Sequence, residues 1–302
     1  QTCSEFQILV VDNASSDGSI EYMRENYPDI ELISLNQNYG FSAAVNVGIR
    51  HSTTPYVLLL NNDTTVAPEF VDEMIKAIEK SPKIFSVSSK MIQMYHPGLI
   101  DSAGDMYTLL GWGYCRGGGL SISNHRTDDI IFSACAGAAI YRRDIFSEIG
   151  FFDENHFAYL EDIDVGYRAK IYGYQNTYCS SAIVYHVGSG TSGSKYNSFK
   201  VKLSARNNIY LNYKNMPIIQ LIINFIPLLI GYFIKYIFFL KKGFGKDYLA
   251  GIMEGLQSRK KCKKVPFYFK HLSAYVKIEF ELIINTFSYF SQYLSKKRNP
   301  GT

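Results

Sequence analysis

Cysteine is sparse and shows no pairing pattern: Cys3, Cys115, Cys135, Cys179 and Cys262 are odd in number, widely spaced and without a C-x-x-C. That argues against a zinc knuckle or a disulfide framework, and a reducing compartment is expected. Internal repeats and low-complexity blocks are missing as well. The opening QTCSEFQILVVDNAS has neither a charged n-region nor a long apolar h-region, so no secretory signal is expected and the chemistry is placed in the cytosol. Long apolar runs are also scarce. The best, residues 217–234, is eighteen uncharged residues interrupted by Gln220, Asn224 and Pro227, near the lower limit for a span.

What remains is an ordinary globular composition, 47% hydrophobic and 19% charged over 302 residues, enough for one large domain or two modest ones. The net charge of +4 is unevenly spread. From Lys235 onward there are 14 Lys and Arg against 4 Asp and Glu, so the tail is strongly basic and the rest mildly acidic.

Apolar runs at 8–11, 31–35, 56–60 and 84–88 alternate with helical patterns at 19–26, 41–50 and 68–80. This alternation predicts an α/β domain with a largely parallel sheet, helices on both faces, and ligands beyond the strands' carboxyl ends, where Asp12 and Asp63 stand. Residues 91–129, with GWGY and RGGG, have no clear period and read as loops or short strands over a cleft. A strand-like stretch at 131–141 and a helix at 143–149 follow. From Asp162 to Tyr172 the pattern is helical, which puts Asp162 in a first turn. After Met216 the character changes, and the domain boundary is placed near residue 215.

The acids and the histidine at element ends suit three chemical tasks: gripping a nucleotide, countering the charge of a diphosphate and accepting a proton. Asp12, ending a strand, suits base or ribose hydrogen bonds, although Asp12, Asn13 and Ser15 equally suit a helix cap. Asp63, after two asparagines, suits Mg²⁺ or Mn²⁺ bridged to phosphates, or else a capped turn. Glu161, Asp162 and Asp164 crowd one helix start; the helix dipole explains acids there, but crowding also raises proton affinity toward that of a base. His186 ends a strand-like run and is a competent Mn²⁺ ligand. Arg206 fits either a phosphate or a solvated helix face.

In order, VVDNASSDGS, NQNYGFSAAVNVGI, LLLNNDTTV, LEDIDVGYR, YHVGSGT and SARNN resemble the family 2 inverting glycosyltransferases of GT-A fold, in particular their bacterial rhamnosyltransferase-like branch. The resemblance covers roughly residues 5–215. It implies that Asp12 binds base or ribose and that the segment from Asn38 through Gly40 to Asn46 packs around the nucleotide. It also implies that Asn62 and Asp63 stand at the D-x-D-type metal motif, that Asp162 is the general base beside Glu161, and that His186 is a metal ligand. The region around Trp112 is expected to set sugar and acceptor, with Asp164 and Arg206 as further substrate or phosphate contacts. Two departures stand out: the first strand and T-x-N loop usual in the family are missing before Gln1, and Asn61-Asn62-Asp63 replaces two flanking aspartates. An inactive fragment and a nucleotide-sugar hydrolase are the alternatives to a transferase.

The tail, with RKKCKK at 259–264, predicts a helical, basic region over 216–302 that lies on anionic headgroups at the cytoplasmic face of a bacterial membrane. A buried core helix is the other reading of 217–234. No nucleic-acid recognition module accompanies the basic cluster. The expected partners are a nucleotide-sugar donor, a lipid-linked glycan acceptor and that membrane surface.

Overall fold

A computed structural model describes residues 1–188 and 196–298; the glycine-serine stretch after His186 runs, past Gly188, outside the described residues. Strand β1 (Leu9–Asp12), helix α1 (Ser19–Asn26), β2 (Glu31–Ser34), α2 (Phe41–His51) and β3 (Tyr56–Leu60) follow the alternation in the sequence. β1 and β2 pair in parallel, from Leu9 opposite Glu31 to Asp12 opposite Ser34. Among the described residues this pair has no ladder to β3, which forms an edge of the larger sheet.

That sheet takes in β4 (Thr64–Val66), β5 (Ile84–Gln93), β10 (Ala138–Arg142) and β11 (Gln175–His186), in the order β3-β10-β5-β11-β4. Short β6 (Ile100–Ser102) and β9 (Asp129–Ile131) attach to β5 and β11, while β7 (Asp105–Tyr107) pairs with β8 (Gly113–Cys115). The expectation of a largely parallel sheet is corrected here: β5–β11 is parallel, whereas β10 is antiparallel to β3 and β5, and β4 to β11. A crossover helix such as α3 (Phe70–Glu79) returns the chain to the end it left, and residues 94–137 do not. Their short strands and turns deliver β10 from the opposite end.

Alternation along β10 builds the core on both faces. Ala139 and Tyr141 join Phe85, Ile49 and Phe146 of α4 (Ile145–Ile149), while Ala138 and Ile140 join Met74 and Ile78 of α3. Helix α5 (Glu161–Ile171) packs beside this core through Val165 and Ala169.

Helix α6 (Ser198–Asn215) ends where the domain boundary is expected, followed by α7 (Ile218–Ile223), α8 (Phe225–Lys241), α9 (Gly245–Ser258) and α10 (Leu272–Arg298). These helices are closely stitched to the sheet domain. A Cβ on Gly231 would lie 1.9 Å from the Leu110 carbonyl oxygen, Leu109 N donates to Leu282 O at 3.1 Å, and Lys170 pairs with Glu281 at 3.0 Å. The apolar run at 217–234 breaks at Asn224 between α7 and α8. Among the described residues no helix is long and apolar enough to cross a membrane. Ile222, Phe225, Ile226 and Phe233 nonetheless point outward, as does Phe287 on α10.

Candidate active site

Asp12 is buried at the end of β1, and its carboxylate accepts from Ser15 N at 3.0 Å within the loop; it does not cap α1, which starts at Ser19 behind Gly18 with no side-chain cap. Ser15 itself is exposed. Asn13 Nδ2 donates to Asn38 Oδ1 at 3.0 Å and to Gly40 O at 3.1 Å, and its Oδ1 accepts from Tyr39 N at 2.9 Å. This ties the loops after β1 and β2 into one corner. Gly40 has φ +88, and a Cβ there would come within 2.6 Å of Phe157, so only glycine fits without displacement. Phe157 O in turn accepts from Ser42 N at 3.2 Å.

Phe157 opens the turn that delivers the acids. Phe157, Tyr159 and Leu160 all have left-handed φ, of 65, 72 and 67. In non-glycine residues each costs on the order of 1 kcal/mol and persists only where surrounding contacts over-determine it. Helix α5 then begins with Glu161 and Asp162. Burial, with the Asp162 charge adding to it, pushes Glu161 up to about 8, and its Oε2 has no hydrogen-bond partner. Asp162 is half-buried. Burial raises its proton affinity, while a hydrogen bond from Asp105 and the N–H groups of Ile163 and Ala136 oppose that rise. Asp105, on β7, is pushed well above the usual carboxylate range by burial and by the Asp162 charge. Glu161 is therefore mostly neutral at pH 7, and the hydrogen bond between Asp105 and Asp162 favours the charge on Asp162.

Asp63 and His186 also meet. β4 and β11 pair with Thr64 opposite His186, which brings Asp63 Oδ1 to 3.3 Å from His186 Nε2. The other imidazole nitrogen, Nδ1, lies 2.7 Å from Asp101 Oδ2, and that contact raises the histidine's proton affinity. The two sites adjoin through the turn at Ala136 and Gly137: Ala136 N reaches Asp162, and Asn61 N donates to Gly137 O at 2.9 Å. Asn62, between Asn61 and Asp63, is exposed.

The donor chemistry fits a hard divalent cation. Asp63 and His186 Nε2 offer one carboxylate and one imidazole, both partly open to solvent, while Asp101 on Nδ1 orients the ring as carboxylates do behind metal-bound histidines. Asp105, Cys135 and Asp162 also place ligand atoms within 4.8 Å of one another. There, however, burial and the two acids keep the thiol protonated, which suits Mg²⁺ or Mn²⁺ less well.

Four expected contacts lie elsewhere. Asp164 is fully buried, and its carboxylate is committed to Arg168 at 2.8 Å, Lys214 at 2.9 Å and Asn215 at 2.8 Å, which hold it well below the usual carboxylate range despite burial. It is a structural anion. Asn46 is buried too, its amide clamping Phe152 O at 2.8 Å and Glu154 at 2.9 Å. Trp112 does not line the site; its Nε1 donates to Gly231 O at 3.1 Å and its ring packs on Tyr289 of α10. Arg206 does not stand on a solvated helix face: it pairs with Glu254 at 3.2 Å and donates to Asn155 O and His156 O. Asp101 and Asp105 were not singled out in the sequence, because in I-D-S-A-G-D nothing local separates them from ordinary turn residues.

With this geometry in view, residues 1–150 match the family Glycosyl transferase family 2. Among curated proteins the chain is 23% identical over 211 residues to the N-acetylglucosaminyl-diphospho-decaprenol L-rhamnosyltransferase of Mycobacterium tuberculosis, covering 62% of this chain and 68% of that protein. It is 22% identical to the poly-beta-1,6-N-acetyl-D-glucosamine synthase of Staphylococcus epidermidis, over 63% of this chain and 44% of that one. The solved structure of GalNAc-T7 with UDP, GalNAc and Mn²⁺ has a TM-score of 0.54 at 14% identity, over 68% of this chain and 41% of that one. This last likeness is one of fold, GT-A.

Proposed function

We infer, from a chain that carries a glycosyl transferase family 2 domain in residues 1–150, that it moves a sugar from a nucleotide diphosphate sugar to a hydroxyl of a lipid-linked glycan, with inversion. The observation that supports this reading most is that Asp162 and the Asp63–His186 pair flank one turn at Ala136 and Gly137. In this scheme the acceptor oxygen attacks the anomeric carbon, the bond to the diphosphate oxygen breaks, and the hydroxyl proton passes to Asp162. Asn13, Asn38 and Gly40, with Asp12 behind them, form the nucleotide corner. Asp63 and His186 would hold Mg²⁺ or Mn²⁺, which supplies counter-charge for the departing diphosphate. Glu161, neutral up to about pH 8, keeps a second charge away from the base.

A screen of nucleotide sugars for protection against heat tests donor binding without knowledge of the acceptor. One donor class is expected to raise Tm by several degrees at saturation, only with Mn²⁺ or Mg²⁺ present, and Asp63→Asn and His186→Ala should each lose that protection. No protection by any nucleotide sugar with either ion would sink the reading. Nucleotide release that ignores added acceptors would turn it toward hydrolysis.

The acceptor proposal draws on the diphospho-decaprenol named for the mycobacterial relative, and rhamnose is the candidate sugar on the same ground. It also draws on the outward apolar faces of α7, α8 and α10, and on the exposed Lys241, Lys242, Lys246, Lys260 and Lys263 of the same region. Such a face lies in the headgroup region of an anionic cytoplasmic leaflet, with residues 216–302 as its carrier. The protein is expected to float with phosphatidylglycerol vesicles at low salt, and Ile222→Glu with Ile226→Glu should abolish flotation. Equal flotation of that double variant would exclude this face.

A further inference from the structure

The strained turn in front of Glu161 is over-determined from one side, by α6. Asn207 is fully buried there, and its Nδ2 lies 2.8 Å from each of three backbone acceptors of the turn, His156 O, Ala158 O and Tyr159 O. Its Oδ1 accepts from Arg206 Nε at 3.1 Å, and Arg206 Nη2 reaches Asn155 O and His156 O at 3.1 and 3.0 Å. One amide therefore gathers carbonyls that a relaxed chain would turn apart. These carbonyls lie among the residues with left-handed backbone, Phe157, Tyr159 and Leu160, and the carbonyl of Leu160 accepts the Asp164 N–H of the first turn of α5 at 2.9 Å. A rotation at Leu160 redirects the start of α5, and with it the carboxylate of Asp162. Phe157, inside the same turn, is the residue against which Gly40 closes the nucleotide corner.

The geometry points to Asn207 as a positioning residue: by gathering the carbonyls of His156, Ala158 and Tyr159 it sets the direction of Asp162 and its distance from the nucleotide corner. This rests on the reading of Asp162 as the base. Asn207 donates to backbone alone and takes no part in proton transfer. Its effect is confined to geometry, where displacements of about 1 Å cost on the order of 10²-fold in rate.

The test compares Asn207→Ala and Asn207→Ser with Asp162→Asn and the Asp162→Asn/Asn207→Ala double variant, at saturating donor and acceptor and across pH. Asn207→Ala is expected to lower kcat by about 10- to 100-fold with a much smaller change in donor KM. Asn207→Ser, which keeps one donor and serves if the alanine variant does not fold, should fall between alanine and wild type. In the Asp162→Asn background the alanine change should cost nothing further, because the group it positions is gone. A variant that folds with wild-type kcat, or an equal fold-loss with and without Asp162, overturns the positioning role. Full turnover by Asp162→Asn instead overturns the base assignment, whatever the Asn207 variants do.

Discussion

Asp162→Asn is expected to reduce turnover by about 10²- to 10⁴-fold while leaving donor binding intact, because the amide keeps the volume and the Ala136 contact but cannot take the acceptor's proton. The pH profile supplies the independent check. Since burial raises the Asp162 pKa, the base is lost on acidification at a higher pH than an ordinary aspartate would be, and the acid limb of kcat should lie above the ordinary aspartate value. Glu161 works in the other direction: ionising near pH 8, it adds charge beside Asp162 only on the alkaline side. Steady-state rates from pH 4 to 9 and calorimetric donor titrations decide the matter. Turnover in Asp162→Asn within twofold of wild type, or an acid limb at the ordinary aspartate value, would remove Asp162 from the base role.

The largest stability effect should come from its neighbour. Asp164→Ala leaves buried Arg168 without a carboxylate partner and buried Lys214 with Asp153 alone, and the expected loss is about 3–5 kcal/mol. For a chain of this size that lowers Tm by on the order of 10 °C. Asp164→Asn keeps the shape and should cost less. Here the folded pKa is depressed, so the stabilisation is present above the unfolded value near 4 and disappears as pH falls through the folded one. The wild type should therefore lose stability in strong acid more steeply than Asp164→Asn. Denaturation curves at pH 7 and below pH 4 measure both, and an unaltered midpoint for Asp164→Ala would show that the network contributes nothing net.

These two aspartates sit two residues apart in LEDID, and the one local difference is that Arg168 stands at i+4 from Asp164 where Asp162 has Gly166. Helical periodicity and turn residues made the order of elements through α2 and β3 legible, and the placement of Asp12, Asp63 and Asp162 at element ends with it. The same periodicity carried no information on where residues 94–137 turn, so strand direction in the large sheet came out differently. Trp112 and Arg206 looked available in sequence because an aromatic or a guanidinium is silent about its neighbours. Their partners, Gly231 and Glu254, lie 119 and 48 residues away.

What the sequence determined by itself was the alternation of strands and helices, the carboxylates placed at their ends, and the basic, apolar character of the last third. Those properties depend on neighbours within a turn or two of chain. Beyond the i+4 pair of Asp164 with Arg168, tertiary structure decided how fully that acid is paired and left Asp162 to titrate. α6 brings Lys214 and Asn215 to Asp164 but no cation to Asp162, and β11 carries His186 to Asp63 while Asp101 fixes its ring. Proton affinity and ligand geometry are set by groups a few ångströms away in space, and apart from Arg168 the groups at Asp164 and Asp63 come from 50 to 123 residues away.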